Sequence, residues 1–233
     1  MTADNTFEDS LYYGLQAALF ADDKLYVDQE ANGELNGVSW DDAMHELSVA
    51  LGVAGCRDVD SVFIAEGTYL PNLNDDREIS FIIPDSTSIF GGFPEGGSVF
   101  ALRDPESFVT VLSGDLGIEN QNTDNVYHVL KIDSAQHDAL LDGVTLSHGN
   151  ANGIGDHSQG AALFCQGGLT LQNVIINHHI GLADGQLIRI RNAGAQLILK
   201  DCTLYGQNDS FIKLLNSNSG QVTIQGNTRF LEE

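Results

Sequence analysis

The fold is decided by LLDGVTLSHG (residues 140–149), TLQNVIINHH (170–179), ILKDCTLYGQ (198–207) and TIQGNTRFLE (223–232). These four segments can be aligned with one another, at offsets of 30, 28 and 25 residues. Each contains an alternating apolar–polar run, a polar pair and a second short run. Alternation with a period of two is typical of β-strands, so each segment predicts two short strands joined by a turn.

A second set of related runs lies between these segments. It consists of AALFCQG (161–167), QLIRIRN (186–192) and SFIKLLN (210–216). One repeat therefore contains about three short strands, which cannot bury an apolar face alone but can do so when repeats stack. We predict an all-β fold, a right-handed parallel β-helix or solenoid, in which equivalent positions of successive coils form ladders.

A β-sandwich is the alternative fold, because it also contains many short strands. A sandwich does not require this self-similarity, and its adjacent strands are commonly joined by hairpin dipeptides. The dipeptides of that kind, Asn36-Gly37 and Asn152-Gly153, lie in predicted loops. The repeat therefore favours the β-helix over the sandwich.

The chain is predicted to form one structural domain with two parts. Residues 1–57 form an N-terminal segment with a helical cap, and residues 58–233 form the coils. Within the first part, residues 6–20 predict a short helix, since apolar residues recur there every four positions.

The helical cap itself is expected over residues 39–51. Ser39 suits the N-cap position, and Asp42 follows three residues later, close to the pattern of a capping box. Gly52 offers a place for the helix to stop. Trp40, in the first turn of this predicted helix, is expected to plug the core.

Charge is distributed unevenly along the 233-residue chain, whose formal net charge is −23. Residues 1–124 carry 24 acidic and four basic side chains, whereas residues 125–233 carry nine and six. A protein that binds nucleic acid needs a basic surface for the phosphates, so a nucleic-acid partner is not expected. No run approaches the roughly 18 apolar residues of a membrane-spanning helix, so membrane insertion is not expected either.

A series of short motifs resembles a known group of proteins. The motifs are YVD (26–28), ANG (31–33), NGVSW (36–40), VFIAEGTY (62–69), FIIPDSTSIFGGF (81–93), RDP (103–105), TVLSGD (110–115), DNVYHV (124–129) and LLDGVTLSHGNANG (140–153). In this order they resemble the bacterial secreted and surface right-handed β-helix repeat proteins, which are pectate-lyase-like and of the polymorphic-outer-membrane type. The resemblance covers about residues 25–180. It implies a capped β-helix and export. It does not imply a catalytic activity.

Export implies an extracellular or cell-surface location in a bacterium. No signal peptide is visible in this numbering, because Glu8 and Asp9 precede the apolar residues 11–20, where a signal peptide carries positive charge. Members of the family are usually longer, so we expect the last coil here to be open unless another chain or a removed domain covers it. An uncovered end presents unpaired backbone groups, which favours self-association. Head-to-tail stacking of such ends does not close, and gives a filament.

A polysaccharide lyase or a glycoside hydrolase is the catalytic alternative. A lyase requires a basic residue that abstracts a proton, and Arg189 and Arg191 alternate onto one face of a predicted strand. A hydrolase requires two carboxylates at a fixed separation, and Asp142, Asp201 and Asp209 are candidates for these. Surface charges on a solvated β-face explain the same residues, so we expect no catalytic site.

Two loops are rich in oxygen ligands of the kind that calcium prefers, NLNDDRE (72–78) and DLGIENQNTD (115–124). Neither matches the EF-hand pattern or the glycine-rich nonapeptide repeat, and a solvated acidic loop explains both. The candidate ligands of a structural calcium ion are Asp75, Asp76, Asp115, Glu119 and Asp124. No other cofactor is expected.

The histidine and cysteine residues are interpreted as structural. Neighbouring strand residues face opposite sides, so His178 and His179 cannot both bind one ion from a regular strand. The three cysteines are too few and too scattered for a disulfide framework. Cys165 and Cys202 occupy comparable positions in predicted strands, and we expect both to be small core residues.

These observations favour a non-catalytic module, structural or adhesive, at the cell surface or outside the cell. Its expected partners are a second copy of itself, another surface protein or a polysaccharide. The competing hypothesis is a carbohydrate-active enzyme or a sugar-binding module that uses the lateral face of the β-helix. A groove with convergent carboxylates and Arg189 or Arg191 favours the enzyme, whereas open coil ends favour assembly.

Overall fold

The β-rich segments form short strands in a computed structural model of the chain, which describes residues 23–57, 59–71, 74–119, 121–133, 138–181, 187–192, 194–206, 212–214 and 220–232. The strands are β1 (Lys24–Val27), β2 (Ser61–Ala65), β3 (Gly67–Tyr69), β4 (Phe81–Ile82), β5 (Ser88–Phe93), β6 (Thr110–Ser113), β7 (Leu130–Ile132), β8 (Asp138–Asp142), β9 (Thr145–Ser147), β10 (Asn150–Ala151), β11 (Leu163–Cys165), β12 (Gly168–Gln172), β13 (Ile175–Asn177), β14 (Ile180–Gly181), β15 (Ile188–Ile190), β16 (Gln196–Lys200), β17 (Thr203–Gly206), β18 (Ile212–Leu214), β19 (Gln221–Gln225) and β20 (Arg229–Glu232). The helix predicted over residues 6–20 lies outside the described residues.

The strands assemble into three large sheets and one small one. A seven-stranded sheet has the order β1-β2-β5-β8-β12-β16-β19, a six-stranded sheet β3-β6-β9-β13-β17-β20, and a five-stranded sheet β4-β7-β11-β15-β18, while β10 pairs with β14. Every pairing between these strands is parallel. The described residues therefore form an all-β fold of parallel sheets, and the antiparallel strand pairs of a sandwich are not found among them.

From β2 onward the chain visits the large sheets in a fixed cycle, from the seven-stranded to the six-stranded and then to the five-stranded sheet. We call one passage through this cycle a coil, and each coil places one new strand beside its predecessor in every sheet. Successive strands of one sheet are therefore separated in sequence by one passage through the other two sheets.

The register of the seven-stranded sheet confirms the alignment of the four repeated segments. Thr170 pairs with Leu140 on one side and with Ile198 on the other, and Ile198 pairs with Thr223. The turn after each of these strands contains a residue with positive φ. These residues are Gly143 (71°), Asn173 (50°), Asp201 (53°) and Gly226 (60°).

The core is a set of apolar ladders that run from coil to coil. Leu141, Leu171 and Leu199 pair in register and are fully buried. The next residue of the same ladder is Ile224 on β19, and 55% of its surface is exposed. The core therefore ends, within the described residues, on a strand whose inward side chains are only partly covered.

The cap helix differs from its prediction. The α-helix, α1, spans Leu47–Arg57, so it begins and ends later than the predicted 39–51. Ser39 and Asp42 do make capping-box contacts, with the Asp42 N–H donating to Ser39 Oγ at 3.2 Å, but they close a turn. Met44 is instead held in extended backbone, because it forms a parallel bridge with Val27 on β1.

Helix α1 packs against β1, β2 and β4, at the end of the sheets where the chain enters. Its buried residues are Leu47, Ala50, Leu51, Val53 and Ala54. Two short 3₁₀ helices, Phe100–Leu102 and Gly155–Ser158, lie in loops. The described part of the chain contains no helix that is long and apolar enough to cross a membrane.

Candidate functional site

The outer face of the six-stranded sheet forms a groove that crosses several strands. Two adjoining depressions, of about 780 and 650 Å³, share Val109, Thr145 and Ile175. We call them together the lateral groove. Its floor consists of outward side chains from successive coils, and its walls are the loops 103–106 and 115–119. The floor residues are Thr68, Val111, Ser113, Thr145, Ser147, Ile175, Asn177 and Thr203.

The lateral groove is rich in hydroxyl groups and acidic at both walls. Its acidic lining residues are Asp104, Glu106, Asp115, Glu119 and Asp201. A hydrogen bond from the Ser107 hydroxyl, with others from the Glu106 and Ser107 amides, holds the pKa of Asp104 below its ordinary value. The groove therefore disfavours a polyanionic ligand such as a polyuronate.

Two histidines stand at one end of the lateral groove. The rings of His148 and His178 stack, with centroids 5.2 Å apart and planes 6° from parallel. Both residues have positive φ and immediately follow paired residues, Ser147 and Asn177, so they occupy equivalent positions of successive coils. Groups of three or more histidine, cysteine or acidic residues that could hold a metal ion are not found in the described residues.

At the turn beside the groove, Asp142 is the centre of a polar network. Its Oδ1 accepts hydrogen bonds from Arg103 Nη2 at 3.0 Å and Asn173 Nδ2 at 2.9 Å, and its Oδ2 accepts one from Gln172 Nε2 at 3.1 Å. Lys200 Nζ extends the network by donating to Gln172 Oε1 at 3.1 Å. The side chains of Arg103 and Asp142 are 9% and 5% exposed, so this ion pair is buried.

The Arg103 side chain is confined on its other sides as well. Its guanidinium lies 5.6 Å from the Phe90 ring centroid and 5.7 Å from that of Phe100, and its Nε donates to the Gly91 carbonyl. A Cβ atom on Gly143 would collide with Arg103 Nη2, which explains the glycine at this turn. Asp142, the carboxylate candidate of the sequence, is thus engaged by Arg103, Gln172 and Asn173.

Two other histidines are buried and link neighbouring coils. His179 accepts a hydrogen bond from the Gly149 N–H at its Nδ1 and donates from Nε2 to the Leu146 carbonyl, both at 2.9 Å. His128 donates from Nδ1 to the Gly160 carbonyl at 2.9 Å. Burial lowers the pKa of His179 to about 3 and that of His128 to about 4, so both are neutral at neutral pH.

Those candidate catalytic residues that the structure describes do not converge. Arg191 pairs with Asp156, and desolvation lowers the pKa of Arg189 on the five-stranded sheet. Asp201 lies instead in the turn after β16, where its Oδ1 accepts the Asn227 N–H at 2.7 Å. Asp209 lies outside the described residues.

The candidate calcium ligands are brought together only in part. The carboxylates of Asp75 and Asp124 both approach Gly117, and Asp124 Oδ2 accepts the Ile118 N–H at 2.9 Å. Asp115 and Glu119 line the lateral groove, whereas Asp76 accepts the Glu78 N–H at 2.9 Å within its own turn. The ligand set predicted from the two acidic loops therefore does not form a single cluster.

The cysteines permit a direct test of the packing. Cys165 and Cys202 are buried and Cys56 is exposed, all three as free thiols. Burial raises the pKa of Cys165 to about 11 and also raises that of Cys202. We expect a thiol reagent to modify one cysteine of the native chain quickly and all three after unfolding. A Cys56→Ser variant should lose the fast reaction, and a fast reaction at Cys165 would contradict the packing.

The two ends of the sheets differ in how their edges are covered. At the N-terminal end, the β1 edge is hydrogen-bonded to an adjacent segment: Tyr26 N–H donates to the Gly37 carbonyl, and Asp28 N–H donates to that of Met44. At the β3 edge, Gln29 Nε2 donates a hydrogen bond to the Thr68 carbonyl. Helix α1 covers β4.

At the C-terminal end, no further strand pairs with β18, β19 or β20 among the described residues. The sequence of β19 is QVTIQ, which has no charge, and its five residues pair with β16 without a bulge. Natural edge strands are commonly protected by lysine, proline or a bulge, and β19 has none of these. The sequence predicts an open coil end but does not single out β19, although the lack of charge in QVTIQ is a visible signal.

Comparison with known proteins adds no relative. No protein-family model matches the chain. A search of curated proteins finds no significant match. A search of solved structures finds none either.

Proposed function

We propose that the chain is a right-handed parallel β-helix that serves as a non-catalytic structural or adhesive module and associates through its C-terminal coil end. The fixed cycle through three parallel sheets supports a β-helix, because each passage through the cycle adds one strand to every sheet. Crossovers between parallel strands of one sheet are right-handed in about 98% of cases, which supports a right-handed β-helix. The motif resemblance to bacterial secreted β-helix proteins supports an extracellular or cell-surface location.

The observation that carries the proposed association is the contrast between the two ends. The N-terminal edges are covered, whereas the C-terminal edge combines an unprotected strand with the partly exposed core residue Ile224. Covering this end removes apolar surface from water and satisfies backbone groups that water otherwise satisfies. Among the described residues, the end of the core therefore combines an unpaired strand edge with exposed apolar surface.

Light scattering over a range of protein concentrations tests this proposal. We expect the mass to rise above the monomer's 25.1 kDa with concentration, and Ile224→Lys to return it to the monomer. Ile154→Lys is the matched control, because Ile154 is 94% exposed in a loop, and it should leave the mass unchanged. A monomer at every concentration would overturn the proposed self-association.

The lateral groove supports a second candidate function, the binding of a neutral or cationic polysaccharide. Hydroxyl and amide groups from successive coils line its floor, and its walls are acidic. In affinity electrophoresis we expect neutral glycans or glycans of amino sugars to retard the chain and polyuronates not to do so. Ile175→Lys, on the groove floor, should abolish the retardation. Retardation by polyuronates alone would contradict this assignment.

A further inference from the structure

We infer that two copies of the chain join by their C-terminal ends in a closed, two-fold dimer, with β19 of one copy antiparallel to β19 of the other. This inference rests on the proposed association through the C-terminal coil end and specifies its partner, its symmetry and its register. It replaces the filament expected from the sequence alone.

The N-terminal end is covered, and this disfavours head-to-tail stacking. A head-to-tail stack requires the C-terminal edge of one copy to pair with the N-terminal edge of the next. The β1 edge is already bonded at Tyr26 and Asp28, and α1 lies over β4. Among the described residues the unpaired edge is the C-terminal one, so a second copy meets it with the same edge, and such an isologous contact closes as a dimer.

The faces of β19 determine the direction of the pairing. Val222 and Ile224 pair with the buried Leu197 and Leu199, so they continue the core, while Thr223 lies on the outer face. A two-fold axis normal to the sheet keeps the inward side chains of both copies on the core side, and it reverses the strand direction. A two-fold axis along the strand would turn the apolar residues of one copy outward. The pairing is therefore antiparallel.

The sequence of β19, QVTIQ, is compatible with antiparallel pairing between two copies of the strand. With the axis at Thr223, each Val222 lies opposite Ile224 of the other copy, and each Gln221 lies opposite Gln225. No charged residue faces a like charge along this strand, although the chain as a whole carries a net charge of −23. Both apolar positions extend the ladders of one core into the other.

Cysteine cross-linking tests the register in a Cys56→Ser background. Directly opposed residues of antiparallel strands have Cα atoms about 4.5–5.5 Å apart, within the range of a disulfide. We expect Thr223→Cys to convert the chain to a covalent dimer under mild oxidation. Gln221→Cys alone should not, because its copies are about 13 Å apart in this register, four residues along the strand. A mixture of Gln221→Cys and Gln225→Cys should form the mixed disulfide.

The outcomes separate this inference from the proposal beneath it. Light scattering above the monomer mass without a Thr223→Cys cross-link would overturn the two-fold pairing and leave association through the coil end standing. Cross-links between Thr223→Cys and a cysteine placed at Glu34, near the N-terminal end, would indicate head-to-tail stacking and also overturn it. A monomer mass at every concentration, without a cross-link, would overturn both the two-fold pairing and the association through the C-terminal coil end.

Discussion

Replacing Asp142 by alanine should cost about 3–5 kcal/mol of the free energy of unfolding, because it leaves the buried Arg103 charge without its partner. The same change removes acceptors from Gln172 and Asn173, which belong to the next coil. Thermal unfolding should shift downward by on the order of 10 °C. Chemical unfolding followed by circular dichroism measures both stability and cooperativity.

Two further variants show whether the lost charge pairing is the cause. Asp133→Ala removes an ion pair near the surface, in which Lys131 Nζ lies 3.6 Å from Asp133 Oδ1. This variant should lose less than about 1 kcal/mol of the free energy of unfolding. Adding Arg103→Met to Asp142→Ala should recover part of the loss, because it removes the uncompensated charge. An Asp142→Ala variant as stable as Asp133→Ala would show that the network does not hold the coils.

Acid should destabilise the chain well before its carboxylates are protonated. The unfolded chain protonates histidine near pH 6.5, whereas the folded pKa is about 4 for His128 and about 3 for His179. Below pH 6.5 the unfolded state therefore binds more protons, and stability falls as the pH falls. Each buried histidine contributes a slope of about 1.4 kcal/mol per pH unit, so the two together remove about 4 kcal/mol between pH 7 and pH 5.

Urea unfolding at half-unit pH steps from 7.5 to 5 measures this slope. His128→Gln can still donate a hydrogen bond toward the Gly160 carbonyl, and it should halve the pH dependence. An unchanged slope in the His128→Gln variant would show that His128 accepts a proton in the folded state.

The strands and their register could be predicted because both leave a periodic pattern in the sequence. The two-residue alternation predicts the strands, and the offsets of 30, 28 and 25 residues predict their register. Thr170 pairs with Leu140 and Ile198 as the repeat alignment required. A ladder of this kind places chemically similar residues beside one another, so self-similarity along the chain records contacts between coils. The polar pairs of the alignment also became the turns, where Asn173 and Asp201 adopt positive φ.

The parts that the sequence did not predict depend on contacts between distant residues. The cap helix starts late because Met44 is drawn into a bridge with Val27, which no helical propensity encodes. The partner of Asp142 is Arg103, 39 residues earlier, and it lies in a loop that has no counterpart in the repeat. The lateral groove likewise joins two loops to an outer sheet face, so its acidity could not be predicted from any one segment.

Hydrogen–deuterium exchange at low and high protein concentration tests most directly whether the open coil end is the contact surface. We predict that exchange in β19 (Gln221–Gln225) slows as the concentration rises, while β1, whose edge is already hydrogen-bonded, exchanges at the same slow rate throughout. The outer face of the six-stranded sheet should not change. Equal exchange of β19 at all concentrations, or slowing confined to the lateral groove, would contradict association through the end of the coil.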